Sequence, residues 1–84
     1  MYFYQKKDGK LINNLREQLI KQAIEIHLKG NIPEATKYYQ QIINQGCNDY
    51  RVFSNYGVIL KDLGKLQDAE LSTRKAIEIN PNFA

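Results

Sequence analysis

From Ile12 onward the apolar residues recur every three or four positions. Ile12, Leu15, Leu19, Ala23 and Ile26 fall on one face of a helix, predicted over Leu15 to Lys29. Asn14 stands at its start with Glu17 three residues later, the spacing of a capping box, and Gly30 follows its end. A second stripe of Ile32, Ala35, Tyr39, Ile42 and Ile43 predicts a helix from Ile32 to Gln45. Pro33 lies in its first turn, where a missing N–H costs nothing, and Gly46 lies beyond it. Asn48 or Asp49 can cap a third helix that runs to Leu63, with Val52, Phe53, Tyr56, Ile59, Leu60 and Leu63 facing inward. A fourth helix is predicted from Leu66 to Ile79, with Ala69, Thr73, Ala76 and Ile77 inward, and Asn80-Pro81 stops it. Connections of two or three residues between helices of this length force antiparallel neighbours.

The punctuation repeats. Gly30-Asn-Ile-Pro-Glu-Ala35 and Gly64-Lys-Leu-Gln-Asp-Ala69 share a glycine, a bulky aliphatic, an acid and an alanine at matching places 34 residues apart. A fixed period of this length predicts stacked helical hairpins. Ala23 and Gly57 are separated by the same interval, as are Ala35 and Ala69. Each of these small residues allows close approach of two helix backbones, while Tyr39, Phe53 and Tyr56 fill the wider gaps.

These residues carry a family resemblance. The segment from about Tyr50 to Ala84 resembles a tetratricopeptide repeat through Phe53, Tyr56-Gly57, Leu60, Gly64, Ala69 and the ending Ala76-Ile-Glu-Ile-Asn-Pro81. The segment from about Arg16 to Asp49 resembles it less closely. It keeps Ala23, Gly30, Ala35 and Tyr39 but has Ile42 where alanine is usual and Cys47 where proline is usual. The stretch Ser54-Asn-Tyr-Gly-Val-Ile-Leu-Lys61 is similar to bacterial multi-repeat proteins, some of which join the array to a glycosyltransferase- or sulfotransferase-like domain. The resemblance implies an all-α fold, with antiparallel helix-turn-helix hairpins stacked in the manner of a right-handed tetratricopeptide superhelix. The expected organisation is an N-terminal extension over 1–14 and two repeats over 15–84.

In this family the first helices of the hairpins line a concave groove that takes an extended peptide or a partner helix. Carried onto this chain, the groove wall comprises Glu17, Ile20, Lys21, Ile24 and His27 from the first helix, and Arg51, Ser54, Asn55, Val58 and Lys61 from the third. Members that grip a carboxylate terminus do so with a lysine, asparagines and a further basic residue. Only Asn55 matches, and Ile20 and Ile24 stand where polar residues belong. An apolar centre of Ile20, Ile24 and Val58, with Lys21, Arg51 and Lys61 at its edges, suits an amphipathic segment with acidic flanks.

Composition narrows the alternatives. The 84 residues carry a net charge of +3 with both signs interspersed, too mild and scattered for a nucleic-acid-binding face. Lys6, Lys7 and Lys10 lie near the aromatic trio Tyr2-Phe3-Tyr4, but no basic groove surrounds them. No apolar run approaches the ~18–20 residues of a membrane span, and the first residues lack the pattern of a secretion signal. A single cysteine, Cys47, excludes an internal disulfide and fits a reducing, cytoplasmic compartment. His27 and Cys47 lack a third orienting group, so no nucleophile–base pair is expected. One His and one Cys are too few for a closed zinc centre. Cys47, read as a loop thiol, could cross-link two chains in air. No enzymatic activity and no cofactor are expected.

Two repeats are fewer than the ~3 that usually stabilise an array, and no polar helix follows the last hairpin to cover it. Leu71, Ile77, Ile79 and Phe83 are the expected self-association surface. The expected partner is a protein or peptide, with self-association as a homo-oligomer, or membership of a longer array, as the alternative, and weak nucleic-acid binding as a minor one.

Overall fold

Four α-helices follow one another in the computed structural model, which describes residues 10–83, with side chains from Asn14 to Asn82. They are α1 (Lys10–Leu28), α2 (Ile32–Asn44), α3 (Tyr50–Asp62) and α4 (Leu66–Ile79), and a 3₁₀ turn, Pro81–Phe83, ends the described chain. Helices α1 and α2 form one hairpin, α3 and α4 a second, and α2 packs on α3 to stack the two. The fold is all-α, a stack of helical hairpins. Residues 1–9 of the expected extension lie outside the described residues.

The turns obey the glycine echo. Gly30 and Gly64 have φ of 86° and 81°, the left-handed region where a Cβ is strained, and both chains then re-enter helix within two residues. The helix starts differ more. Asn31 caps α2 by accepting the Glu34 N–H at 3.4 Å, and Asp49 caps α3 by accepting the Arg51 N–H at 2.9 Å. Lys65, the counterpart of Asn31, offers α4 no side-chain cap.

The core lies between the first hairpin and α3. Ala23, Ala35, Tyr39 and Val52 are fully buried, and Ile20, Ile42 and Ile59 nearly so. Leu19, Ile24, Ile26, Ile32, Ile43 and Tyr56 pack around them. In the second hairpin Leu60, Ala69 and Ala76 are also buried. Gly57 behaves as the period predicts. A Cβ built there would stand 2.8 Å from Thr73 Oγ1 and 3.4 Å from the Ala69 carbonyl oxygen, so α3 and α4 touch at this glycine.

Several expectations are corrected. The first helix begins by Lys10 rather than Leu15, so Asn14 is interior to it and caps nothing. Leu15 and Leu63, expected inward, are exposed: Leu63 follows the last turn of α3, beyond the reach of the packed face. On α4 the buried positions are Ala69, Ser72 and Ala76, while Thr73 and Ile77 are exposed. Ser72 is tolerated in the interior because its hydroxyl donates to the Phe53 carbonyl at 2.7 Å, which satisfies the buried group. Cys47 is buried as well. Its thiol pKa is pushed up, first by burial and then by the Asp49 carboxylate, so it is not the accessible, cross-linking thiol expected of a loop. Among the described residues no helix is long and apolar enough to cross a membrane.

Candidate functional site

One side chain ties the first helices of the two hairpins together. Arg51, near the start of α3, donates from Nη1 to Glu17 Oε2 at 3.1 Å and from Nη2 to Glu17 Oε1 at 2.8 Å. The same guanidinium donates from Nε and Nη2 to the two oxygens of Asp49, at 2.9 and 2.8 Å. Both contacts are bidentate, the geometry in which arginine holds a carboxylate most firmly. Glu17 and Arg51 are one repeat period apart, so the bond joins the same position on successive hairpins. The hydrogen bonds from Arg51 hold the Glu17 and Asp49 carboxyls below their ordinary range, and Asp49 and then Glu17 raise the guanidinium further. Arg51 therefore serves as a strut between α1 and α3, already neutralised by two acids, rather than as a free cation at the groove edge.

A second junction lies under the same face. The Tyr39 hydroxyl rises from α2 and meets His27 Nδ1 of α1 at 3.2 Å, with the two rings edge to face at 5.8 Å between centroids. Burial pushes the Tyr39 phenol pKa up, and a hydrogen bond from the Asn55 side chain of α3 opposes that shift. His27 and Asn55, both expected on the groove wall, thus converge on one buried tyrosine. Both are half-buried.

The remaining wall residues separate by exposure. Ile20 is 2% exposed and belongs to the core, a correction to its expected place on the apolar stripe; it is buried in the same cluster as Cys47 and Val52. Ser54 donates its hydroxyl to the Arg51 carbonyl at 3.2 Å. Ile24 is half-buried against the core. Lys21, Val58 and Lys61 are exposed.

A second concavity was not expected. A groove of about 780 Å³ opens between α3 and α4, and all its lining comes from the second hairpin and Pro81. Val58 and Lys61 line it, together with Leu66, Glu70, Arg74 and Glu78. Shifting the first hairpin's covered positions forward by one period would have found it. The expected self-association residues do not form one patch. Ile77 lines this groove, whereas Leu71 lines a smaller one of about 280 Å³ with Ile43, Phe53, Tyr56 and Leu60. Ile79 is half-buried, and the Phe83 side chain lies outside the described residues. Among the described residues no group of three or more His, Cys, Asp or Glu side chains is placed to hold a metal ion.

The chain matches no protein-family model. It is similar to a set of plant proteins. It is 30% identical over 77 residues to Hsp70-Hsp90 organizing protein 1 of Glycine max, covering 92% of this chain and 13% of that protein. It is 32% identical over 76 residues to the Hsp70-Hsp90 organizing protein of Triticum aestivum, covering 90% and 12%. With Hsp70-Hsp90 organizing protein 3 of Arabidopsis thaliana it shares 37% over 51 residues, 61% of this chain and 9% of that one. The chain thus spans about an eighth or less of the length of these relatives. They are plant proteins, so the bacterial character suggested by residues 54–61 gains no support from them. The four-helix, two-hairpin arrangement is consistent with a tetratricopeptide-like unit.

Proposed function

We propose that this chain is a protein-interaction module whose α1/α3 face holds a peptide or an amphipathic helix. The observation that carries this reading is the Arg51–Glu17 strut. It fixes two helices side by side through a partly exposed ion pair and leaves Lys21, Ile24, Val58 and Lys61 along one face. Rigid presentation matters because binding then costs little ordering on this side. The relatives are named for organizing two other proteins, Hsp70 and Hsp90, which supports a binding role over a catalytic one. Capture of an anionic chain terminus is the less suitable mode here. Arg51 is neutralised by two acids, and Ile20 is in the core. An aliphatic segment flanked by acids fits the two lysines and the aliphatic centre better.

The test uses a fluorescent synthetic helix with leucines at i, i+4 and i+7 and glutamates at both ends. Saturable binding by fluorescence anisotropy is expected, and Lys21→Glu should weaken it by about fivefold or more while the thermal melt stays near that of the parent. Absence of binding, or affinity indifferent to Lys21→Glu, would sink the reading.

A further inference from the structure

Seven large apolar side chains are exposed among those described, and five of them, Val58, Leu63, Leu66, Leu71 and Ile77, belong to the second hairpin. Three of the five line the 780 Å³ groove. Repeat equivalence explains what this groove is. Ala23, Ile24, Ile32, Ala35, Tyr39 and Ile43 of the first hairpin pack in the core with Val52, Tyr56 and Ile59 of α3. One period on, their counterparts are Gly57, Val58, Leu66, Ala69, Thr73 and Ile77, and all six line the groove. The second hairpin therefore carries the same kind of apolar seat that the first hairpin uses to receive α3, and within the described residues nothing fills it.

The opposite end of the molecule exposes Leu15 and Leu28 of α1 but is polar at the positions that matter for stacking. The residues of α3 that enter the first seat, Val52, Tyr56 and Ile59, correspond on α1 to Gln18, Gln22 and Glu25, all exposed. A second copy stacking head to tail would press these polar side chains into the apolar seat and strip them of water. Tail-to-tail pairing avoids that cost.

The charges on the rim suit the same arrangement. Glu70 and Arg74 pair with each other at 2.9 Å across one turn of α4. Lys61 and Glu78 stand near opposite ends of the groove, one by the α3–α4 turn and one by the end of α4. Neither takes part in an ion pair among the described residues. A two-fold axis across the groove brings the Lys61 end of one copy to the Glu78 end of the other, and does so twice, as isologous contacts require. We propose that a second copy of this chain occupies the α3/α4 groove, the two hairpins meeting antiparallel with Val58, Leu66 and Ile77 at the centre and Lys61 of each copy opposite Glu78 of the other.

The test is charge reversal followed by mixing, read by sedimentation equilibrium of the full chain without any peptide, so it stands apart from the fate of the α1/α3 reading. The parent protein should dimerise below about 1 mM. Lys61→Glu and Glu78→Lys should each weaken dimerisation at least about tenfold, because each places like charges opposite one another. Mixing the two variants should restore association, since in the mixed dimer both contacts are again between opposite charges. That recovery requires both variants to be folded, and equal far-UV circular dichroism checks it directly. A parent chain that stays monomeric to about 1 mM, or variants whose mixture associates no better than either alone, would overturn the proposal.

Discussion

At the scale of single residues, close packing and polar satisfaction share the work. Gly57 is the sharpest packing constraint. Its neighbours on α4 are one movable hydroxyl, Thr73 Oγ1, and one fixed carbonyl oxygen, that of Ala69. Alanine there displaces only the exposed Thr73 side chain and gains helix propensity of about 1 kcal/mol over glycine, so Gly57→Ala should leave stability nearly unchanged. Leucine cannot be placed without separating the helices, and Gly57→Leu should cost about 1–3 kcal/mol or more. Urea denaturation of the two variants distinguishes a true backbone crossing from a glycine that merely lies in a helix, for which both changes would stabilise. The polar residues were harder to read. Ser72 was invisible in the sequence because its burial depends on a carbonyl of another helix, and the meeting of His27 with the Tyr39 hydroxyl joins two helices in the same way.

At the scale of elements, the four helices and their hairpin pairing followed from the glycine echo and the apolar period, and α4 was placed from its first residue to its last. The start of α1 was misread for a physical reason. Asn14 and Glu17 have the spacing of a capping box, but the Glu17 carboxylate is engaged by Arg51 in the next repeat, a long-range bond that no local pattern encodes. Of the residues expected on the groove wall, Ile20 is buried in the core and Arg51 is occupied by Asp49 and Glu17; the burial and the bond to Glu17 depend on residues distant in sequence, which local spacing does not encode. Helix α4 has a weaker start than α2 or α3, with a lysine where α2 has asparagine, and a cation at a helix N-terminus opposes the dipole. Lys65→Asn should raise stability by about 0.5–1 kcal/mol, seen as a higher denaturation midpoint with an unchanged m-value.

At the scale of the whole molecule, the two ends differ in degree: α1 turns Gln18, Gln22 and Glu25 outward beside Leu15 and Leu28, while the second hairpin turns five aliphatic residues outward. The joint between the hairpins is partly electrostatic, and that makes it sensitive to acid. Glu17 and Asp49 have carboxyls depressed by Arg51 from ordinary values of 4.5 and 3.8. For such groups the stabilisation is complete above the ordinary value and is lost as pH falls through the depressed one. The midpoint of thermal unfolding should therefore fall as pH drops below about 4.5, and Arg51→Leu should flatten that dependence. The effect should be modest because the pair is partly in water. An equal slope in parent and variant would assign acid sensitivity to other carboxylates.

The burial of Cys47 gives the molecule an internal gauge. It is the sole thiol in the chain and sits at the junction between α2 and α3, where one hairpin hands over to the next. A water-borne thiol reagent reaches it fully only when the packing around the α2–α3 loop loosens. The labelling rate, referred to that of the unfolded chain, therefore reports opening at this joint, from loosening of the loop to parting of the hairpins. That opening can be followed at one atom, in the native protein, with no engineered residue.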